Sequence, residues 1–330
     1  MRSCDIKKSL GLSGPAGEGE EMSTVRILLA TYNGEKYIGE MIDSILAQDN
    51  RDWSLVLSDD QSKDGTAAIL DAYAKEYPDR IHHYRSGLHF GNAQDHFLHL
   101  LEQFPDAPYT MFCDQDDVWH PDKVSGTLKK MKEIEEAGVP AVVHTDLRVV
   151  DGRMQEMAPS FMAYSGLSGE RMQLKHLLVQ NVVTGCTMMI NRPLAELANA
   201  HKPDGKILMH DWWLAMIGAA LGKTGFWNQA TIDYRQHGNN TVGAKDTKSI
   251  SYIINKIRND GVRKAMEQTY GQAEVFLSAF GDLMKPEQRK AVADYAALKN
   301  CGALARKVGF LKGGYYKYGL QRIIAQFIWS

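Results

Sequence analysis

The sequence predicts an α/β protein: a mostly parallel sheet with helices on both faces, followed by a C-terminal helical region. Three observations carry that expectation. Short apolar runs alternate with amphipathic helical patterns through the first half of the chain. Those runs are continuously apolar, as in strands covered on both faces. Three of them lead directly into polar motifs, "TYNG", "DDQSKDGT" and "DQDD". Ligands of open α/β sheets bind beyond the carboxyl ends of the strands, so the three motifs are expected on one edge.

The elements follow in order. "VRILLA" is the first strand, and a helix follows with Ile38, Met41, Ile42, Ile45 and Leu46 on one face, Asn33 being a candidate N-cap. "WSLVLS" is the second strand, before a helix carrying Ile69, Leu70, Tyr73 and Tyr77. "IHHYR" is a weaker third strand, before a helix with Phe97, Leu98, Leu101 and Phe104. "YTMFC" then delivers Asp114, Asp116 and Asp117, and Pro121 suits the first turn of the next helix. After "AVVHTDLRVV", "VVTGCTMMI" reads as a strand, "HDWWLAMIGAALG" as an apolar helix and "FWNQATIDYRQHG" as a strand entering a polar loop. Helical patterns dominate from about residue 247, and no internal repeat is apparent.

Composition sets the class. The 330 residues are 44% hydrophobic and 24% charged, with a formal net charge of −2, a globular balance that gives no pointer to nucleic acid. Cys4, Cys113, Cys186 and Cys301 form no C-x-x-C, which argues against a zinc knuckle or a disulfide framework and for a reducing cytoplasm. Cys113 and Cys186 lie in strand patterns and read as small core hydrophobes. No apolar run approaches the ~18–20 residues that span a bilayer. Residues 1–23 are rich in Gly, Ser and Glu, lack an apolar h-region, and read as a disordered leader or as sequence upstream of a start at Met22.

Three carboxylates within four positions suit a hard divalent cation, Mg²⁺ or Mn²⁺, and through it a phosphorylated ligand. The bland reading is an acidic turn at a helix start. Two enzyme classes use such a cluster. "DQDDV" satisfies the D-x-D-x-[T/V] pattern of haloacid-dehalogenase-type phosphohydrolases, but here it follows three earlier strands rather than ending the first. The other class is the nucleotide-sugar glycosyltransferases.

Residues 24–245 resemble the inverting, GT-A-fold family 2 glycosyltransferases: "VRILLATYNGEKYIGEMIDSILAQDNRDWSLVLSDDQSKDGT" looks like their N-terminal half and "DQDDVWHPDK" like their D-x-D region. "TGCTMMINRPL", "MHDWWLAMIGAALGK" and "YRQHGNNTVGA" are similar to bacterial rhamnosyltransferases of cell-wall and O-antigen polysaccharide synthesis. The resemblance implies transfer of L-rhamnose from dTDP-β-L-rhamnose to a hydroxyl of a growing, lipid-linked glycan. The alternative within the fold is glucose or galactose from a UDP donor, and outside it the phosphohydrolase or a nucleotide-sugar-binding module without activity.

The same resemblance implies roles. Thr31, Tyr32, Asn33 and Asp60 would hold the nucleoside, and Asp59 would orient the loop. Asp116 and Asp117 would hold the metal, with Asp114 in the D-x-D region beside the nucleotide. Asp211 in "HDWW" matches the general base, although a carboxylate at a helix start is also an ordinary N-cap. Trp212 and Trp213 offer flat faces for sugars, with at least one of them expected in the core. Arg235 is a candidate phosphate partner and His237 a candidate metal ligand. His82, His83, His96 and His99 read as surface or packing residues. Finally, Lys299, Arg306, Lys307, Lys312, Lys317 and Arg322 alternate with aromatics in a stretch without acid after Asp294. Residues 246–330 would thus pack as an ordinary helical subdomain or attach to an anionic membrane at its inner face.

Overall fold

The computed structural model describes residues 24–237 and 261–329. The expected leader and the "GNNTVGA" stretch lie outside them. Among the described residues there are nine strands: β1 (Val25–Thr31), β2 (Trp53–Asp59), β3 (Ile81–Tyr84), β4 (Tyr109–Cys113), β5 (Val118–Trp119), β6 (Ala141–Asp151), β7 (Glu156–Ala158), β8 (Met188–Asn191) and β9 (Lys223–Gln236). The helices up to the sheet's end are α1 (Ile38–Leu46), α2 (Thr66–Glu76), α3 (Ala93–Gln103), α4 (Lys123–Ile134), α5 (Phe161–Tyr164), α6 (Leu174–Leu177), α7 (Arg192–Ala200) and α8 (His210–Leu221). Four more follow: α9 (Gly261–Phe280), α10 (Pro286–Ala297), α11 (Ala303–Gly313) and α12 (Leu320–Ile328).

The strands form one sheet in the order β3-β2-β1-β4-β8-β6-β9-β5, with β7 on β6. Its long ladders, β1 with β2 and β4, β2 with β3 and β6 with β9, are parallel. The antiparallel ladders, which bring in β8, β7 and β5, are short.

Strand pleating explains why both faces are covered. Side chains of a strand alternate between faces. Val25, Ile27 and Leu29 of β1 enter one core with Ile38, Ile42, Trp53 and Met131, while Leu28 enters the other. That second core takes in Phe97, Phe112, Val142, Leu214 and Ile217, and also Phe276, Phe280, Tyr295 and Phe310 from the C-terminal helices. The C-terminal region therefore shares a core with the sheet, and α8 is buried almost all round between them.

Three local expectations change. Asn33 does not cap α1, which begins at Ile38 with Tyr37 as its cap residue. Asn33 is instead in the left-handed region (φ 50°), and its side-chain oxygen accepts the Lys63 N–H at 2.9 Å. Pro121 precedes α4 rather than lying in its first turn. The strand expected over 182–190 starts only at Met188, because Gly185–Thr187 turn as a 3₁₀ helix.

Candidate active site

The three polar motifs do meet at one sheet edge, around a cleft of about 900 Å³. It is lined by Thr31, Tyr32, Asp60, His89 and His96 from the first strands and the turn beside them, by Asp114, Gln115 and Asp116 of the acidic loop, and by Asn181, Asp211, Trp212, Gln268 and Lys317 from later in the chain. β1, β2 and β4 run parallel in register, so Thr31, Asp59 and Cys113 end at similar heights and the loops after them converge.

Gln115, which no sequence signal singles out, ties two of those loops together. Its Oε1 accepts the Thr31 hydroxyl at 2.5 Å and the Tyr32 N–H at 2.7 Å, and its Nε2 donates to the Tyr32 carbonyl at 3.1 Å. Tyr32 is left with its ring 44% exposed at the cleft mouth. Asp59 orients its loop as expected, accepting the Ser62 N–H at 3.0 Å and the Ser62 hydroxyl. Asp60 is buried, and its two oxygens accept the Phe90 and Gly91 N–H groups at 2.6 and 2.8 Å. It therefore folds the 89–91 turn over the cleft while still lining it. Asn33 does not line the cleft, since its polar atoms serve Lys63 and Ser62. His96 lines the cleft rather than a surface, hydrogen-bonded to Ser58 at 2.8 Å and kept neutral, at about 4, by burial.

The acidic loop divides between two environments. Asp116 faces the cleft, and its Oδ2 is 2.6 Å from Nε2 of His237, whose ring stacks on Tyr37. Asp114 also faces the cleft, and burial, Asp116 and Asp211 raise its carboxyl to about 7. Asp117 is turned inward. It is 1% exposed, its Oδ1 accepts the Arg235 N–H at 3.2 Å, and its Oδ2 has no hydrogen-bond partner. Of the expected pair, Asp116 lines the cleft beside Asp114, whereas Asp117 does not. The strand β5 that starts at Val118 draws Asp117 into the sheet.

Arg235 likewise departs from its expected place. It is buried, donates to Glu40 at 2.6 Å and to the Asp116 carbonyl at 3.0 Å, lies over the Tyr37 ring, and does not line the cleft. It holds the acidic loop from behind. Lys123, also unforeseen, is fully buried near Asp117 and over Trp119, with its ammonium pushed down to about 8 by burial.

Oxygen and imidazole donors suit a hard cation; Asp116 and Asp114 offer oxygens at the cleft, and His237, which does not line it, is held against Asp116. A second grouping, Asp114, Asp117 and Cys186, has ligand atoms within 4.8 Å of one another. Burial holds the Cys186 thiol in its protonated form, which fits a hard cation poorly. Asp114 is common to both groupings.

Asp211 lies in the first turn of α8, whose cap residue is Met209, so it is not the N-cap. Its Oδ1 accepts the Trp212 N–H at 2.5 Å and the Asn181 amide at 3.0 Å. Burial raises its carboxyl to about 7. The two tryptophans separate as a helix requires. Trp212 lines the cleft and donates its indole N–H to the Leu177 carbonyl at 2.5 Å. Trp213 is 1% exposed and packs edge-on against Phe276, so it belongs to the core and has no sugar face to offer. A 100° step between neighbours allows only one of them into the cleft.

A mostly parallel sheet with a cleft at one edge, lined by an acidic loop and a buried carboxylate, is the arrangement of a GT-A fold. Residues 26–197 match the family "Glycosyl transferase family 2", and the chain belongs to that family. It is 28% identical over 245 residues to the dTDP-rhamnosyl transferase RfbG of Shigella flexneri, covering 72% of this chain and 81% of that protein. It is 28% identical over 239 residues to the putative teichuronic acid biosynthesis glycosyltransferase TuaG of Bacillus subtilis, covering 68% and 83%. Among solved structures, TarS (residues 1–349) of S. aureus in complex with UDP-GlcNAc superposes with a TM-score of 0.55 at 16% identity, over 92% of this chain and 80% of that one. The phosphohydrolase reading of "DQDDV" falls with the family assignment.

Proposed function

We propose that this family 2 glycosyltransferase is an inverting rhamnosyltransferase, moving L-rhamnose from dTDP-β-L-rhamnose to a glycan hydroxyl. The observation that carries the inverting transfer is Asp211, a buried carboxylate held by Asn181 and the Trp212 N–H in the same cleft as the acidic loop, with burial raising its carboxyl to about 7. The acceptor hydroxyl attacks the anomeric carbon from the face opposite the diphosphate. The new glycosidic bond forms as the bond to the β-phosphate oxygen breaks, the hydroxyl proton passes to Asp211, and dTDP leaves. Asn181 and the Trp212 N–H hold the Asp211 carboxylate in place for that transfer.

Thr31, Tyr32 and Asp60 line the end of the cleft that would take the nucleoside, with Tyr32 offering a ring to the base. Asp116, Asp114 and His237 would hold Mg²⁺ or Mn²⁺, which when bound offsets the charge developing on the departing diphosphate. Trp212 would face the sugars. Support for rhamnose comes from the dTDP-rhamnosyl transferase relative, and for a UDP-hexose alternative from the UDP-GlcNAc complex of TarS. A lipid-linked acceptor at an anionic membrane suits the acid-free C-terminal stretch. No helix among the described residues is long and apolar enough to cross a membrane, so attachment would be peripheral.

The test is a thermal-shift and titration panel of dTDP-, UDP- and GDP-sugars with Mn²⁺. Tightest binding of dTDP-rhamnose, with release of dTDP on adding acceptor glycan, is expected. Preference for a UDP-hexose would transfer the assignment to the alternative donor.

A further inference from the structure

The C-terminal helices expose apolar side chains in rows. On α11, Leu304, Val308 and Leu311 are spaced i, i+4, i+7 and are 78%, 39% and 61% exposed, while Phe310 is the buried residue. On α12, Leu320, Ile324 and Ile328 are spaced i, i+4, i+8 and are 73%, 46% and 53% exposed. Single exposed leucines need no account, but rows at helical spacing on two successive helices mark an interaction surface. The two helices meet through Phe310 and Phe327, whose rings are 5.8 Å apart.

Charge selects the partner. The whole chain carries −2, yet no acidic residue follows Asp294 and six basic ones do. Lys307 and Lys312 have no acidic partner among the described residues, and both lie on the helix that carries the first row. Aliphatic side chains interleaved with lysine, with no carboxylate to repel an acidic headgroup, match an anionic bilayer.

The turn between the helices ties this surface to the cleft. Lys317 lines the cleft, and the Tyr318 N–H donates at 2.7 Å to Gln180, which lines it too. Arg171 donates to the Tyr316 carbonyl at 2.7 Å, and Arg322 to the Ser165 and Gly166 carbonyls. The turn is thus fastened to the cleft at Gln180 and to the 165–171 segment, whose Leu167 also lines the cleft.

We propose that α11 and α12 form an interfacial plate that inserts its aliphatic rows into an anionic lipid surface and sets the Gln180–Lys317 end of the cleft beside it. The partner is an acidic phospholipid surface. The link from plate to acceptor rests on the glycosyltransferase reading; the lipid binding itself does not.

The experiment is vesicle co-sedimentation of the full chain, using phosphatidylcholine with and without phosphatidylglycerol. Leu304→Glu/Leu311→Glu and Leu320→Glu/Ile324→Glu are compared with the parent, and folding is verified by thermal melting. The parent should partition onto the mixed vesicles only, less so at high salt. Each double variant should partition at least about tenfold less, since it removes two insertable side chains and adds two like charges. Equal partitioning of parent and variants, or of the parent onto both vesicle types, would overturn the proposal. So would a stable dimer in solution that the same variants dissolve, which would make the rows a contact between copies of the chain. Manganese-dependent dTDP binding, measured in parallel, separates the two readings: its absence in the parent would count against the dTDP-rhamnose reading and leave lipid docking standing.

Discussion

Changing Asp211 to Asn alters one property of the site and leaves its shape. Asn has nearly the same volume, and its carbonyl oxygen can still accept the Trp212 N–H that Oδ1 accepts at 2.5 Å. It cannot take a proton at neutral pH. A positioned base contributes ~10²–10⁴-fold, so kcat should fall ~10²-fold or more while donor affinity stays within about twofold. The native carboxyl is raised to about 7 by burial. The parent's kcat/KM should therefore rise with pH up to about 7 and level off above it, and the variant should lack that limb. The stability consequence has a definite sign. A carboxyl raised above its unfolded value of ~3.9 binds more protons in the native state, so its contribution is lost as pH rises from about 4 to about 7. Asp114 adds a similar slope, and because Asp211 is one of the groups that raise it, the difference between parent and variant reports Asp211 together with its effect on Asp114. Relative to the parent, Asp211→Asn should melt higher at pH 8 than it does at pH 4. Initial rates of nucleoside diphosphate release, donor titration calorimetry and melting at the two pH values are the measurements. A near-parental kcat with the pH limb intact would remove Asp211 from the chemistry.

Asp116→Ala should cost at least about tenfold in Mn²⁺-dependent dTDP affinity, whereas Asp117→Asn, which can still accept the Arg235 N–H, should retain most of it. Comparable losses in the two by calorimetry would put Asp117 back among the metal ligands. Trp213→Ala should destabilise by ~3–5 kcal/mol in urea unfolding, as expected for emptying a packed core site, and Trp212→Ala by much less while raising the acceptor KM. Gln115→Ala should weaken donor binding several-fold with little change in kcat, because it frees the loop that carries Thr31 and Tyr32. A drop in kcat at unchanged donor affinity would give Gln115 a different role.

What the sequence revealed was what short-range pattern can carry. Continuous apolar runs disclosed the buried strands, and the polar motifs behind them disclosed the edge where the cleft forms. What it hid depends on partners far away along the chain. Gln115 meets Thr31 across 84 positions, and Arg235 meets Glu40 across 195. An arginine near an expected phosphate site looks like a phosphate ligand until its carboxylate partner is seen. Asp117 and Asp116 are equivalent as letters, and only the pairing of β5 with β9 decides which turns inward. For the tandem tryptophans, helical geometry says that one must leave the cleft, but packing against Phe276 and Phe280 decides which. Lys123 reads as a surface lysine at the start of a helix, and only its burial beside the acidic loop shows otherwise.

β9 touches the acidic loop at three consecutive points. Ile232 and Asp233 pair with the strand that ends the loop, the Arg235 N–H holds Asp117 and the Arg235 guanidinium holds the Asp116 carbonyl, and His237 meets the Asp116 carboxylate. The same strand runs in parallel register along β6 nearly to its end. The loop therefore behaves as a bracket bolted to a rail rather than as a free turn. Like charges at its tip repel one another, yet they cannot spread without unpairing a strand that is itself locked into the sheet. The carboxylates are thus kept close together by the fold even without a counter-ion. If a cation binds there as proposed, the loop would need little rearrangement, because the ordering cost of forming the site would already have been met in folding the sheet.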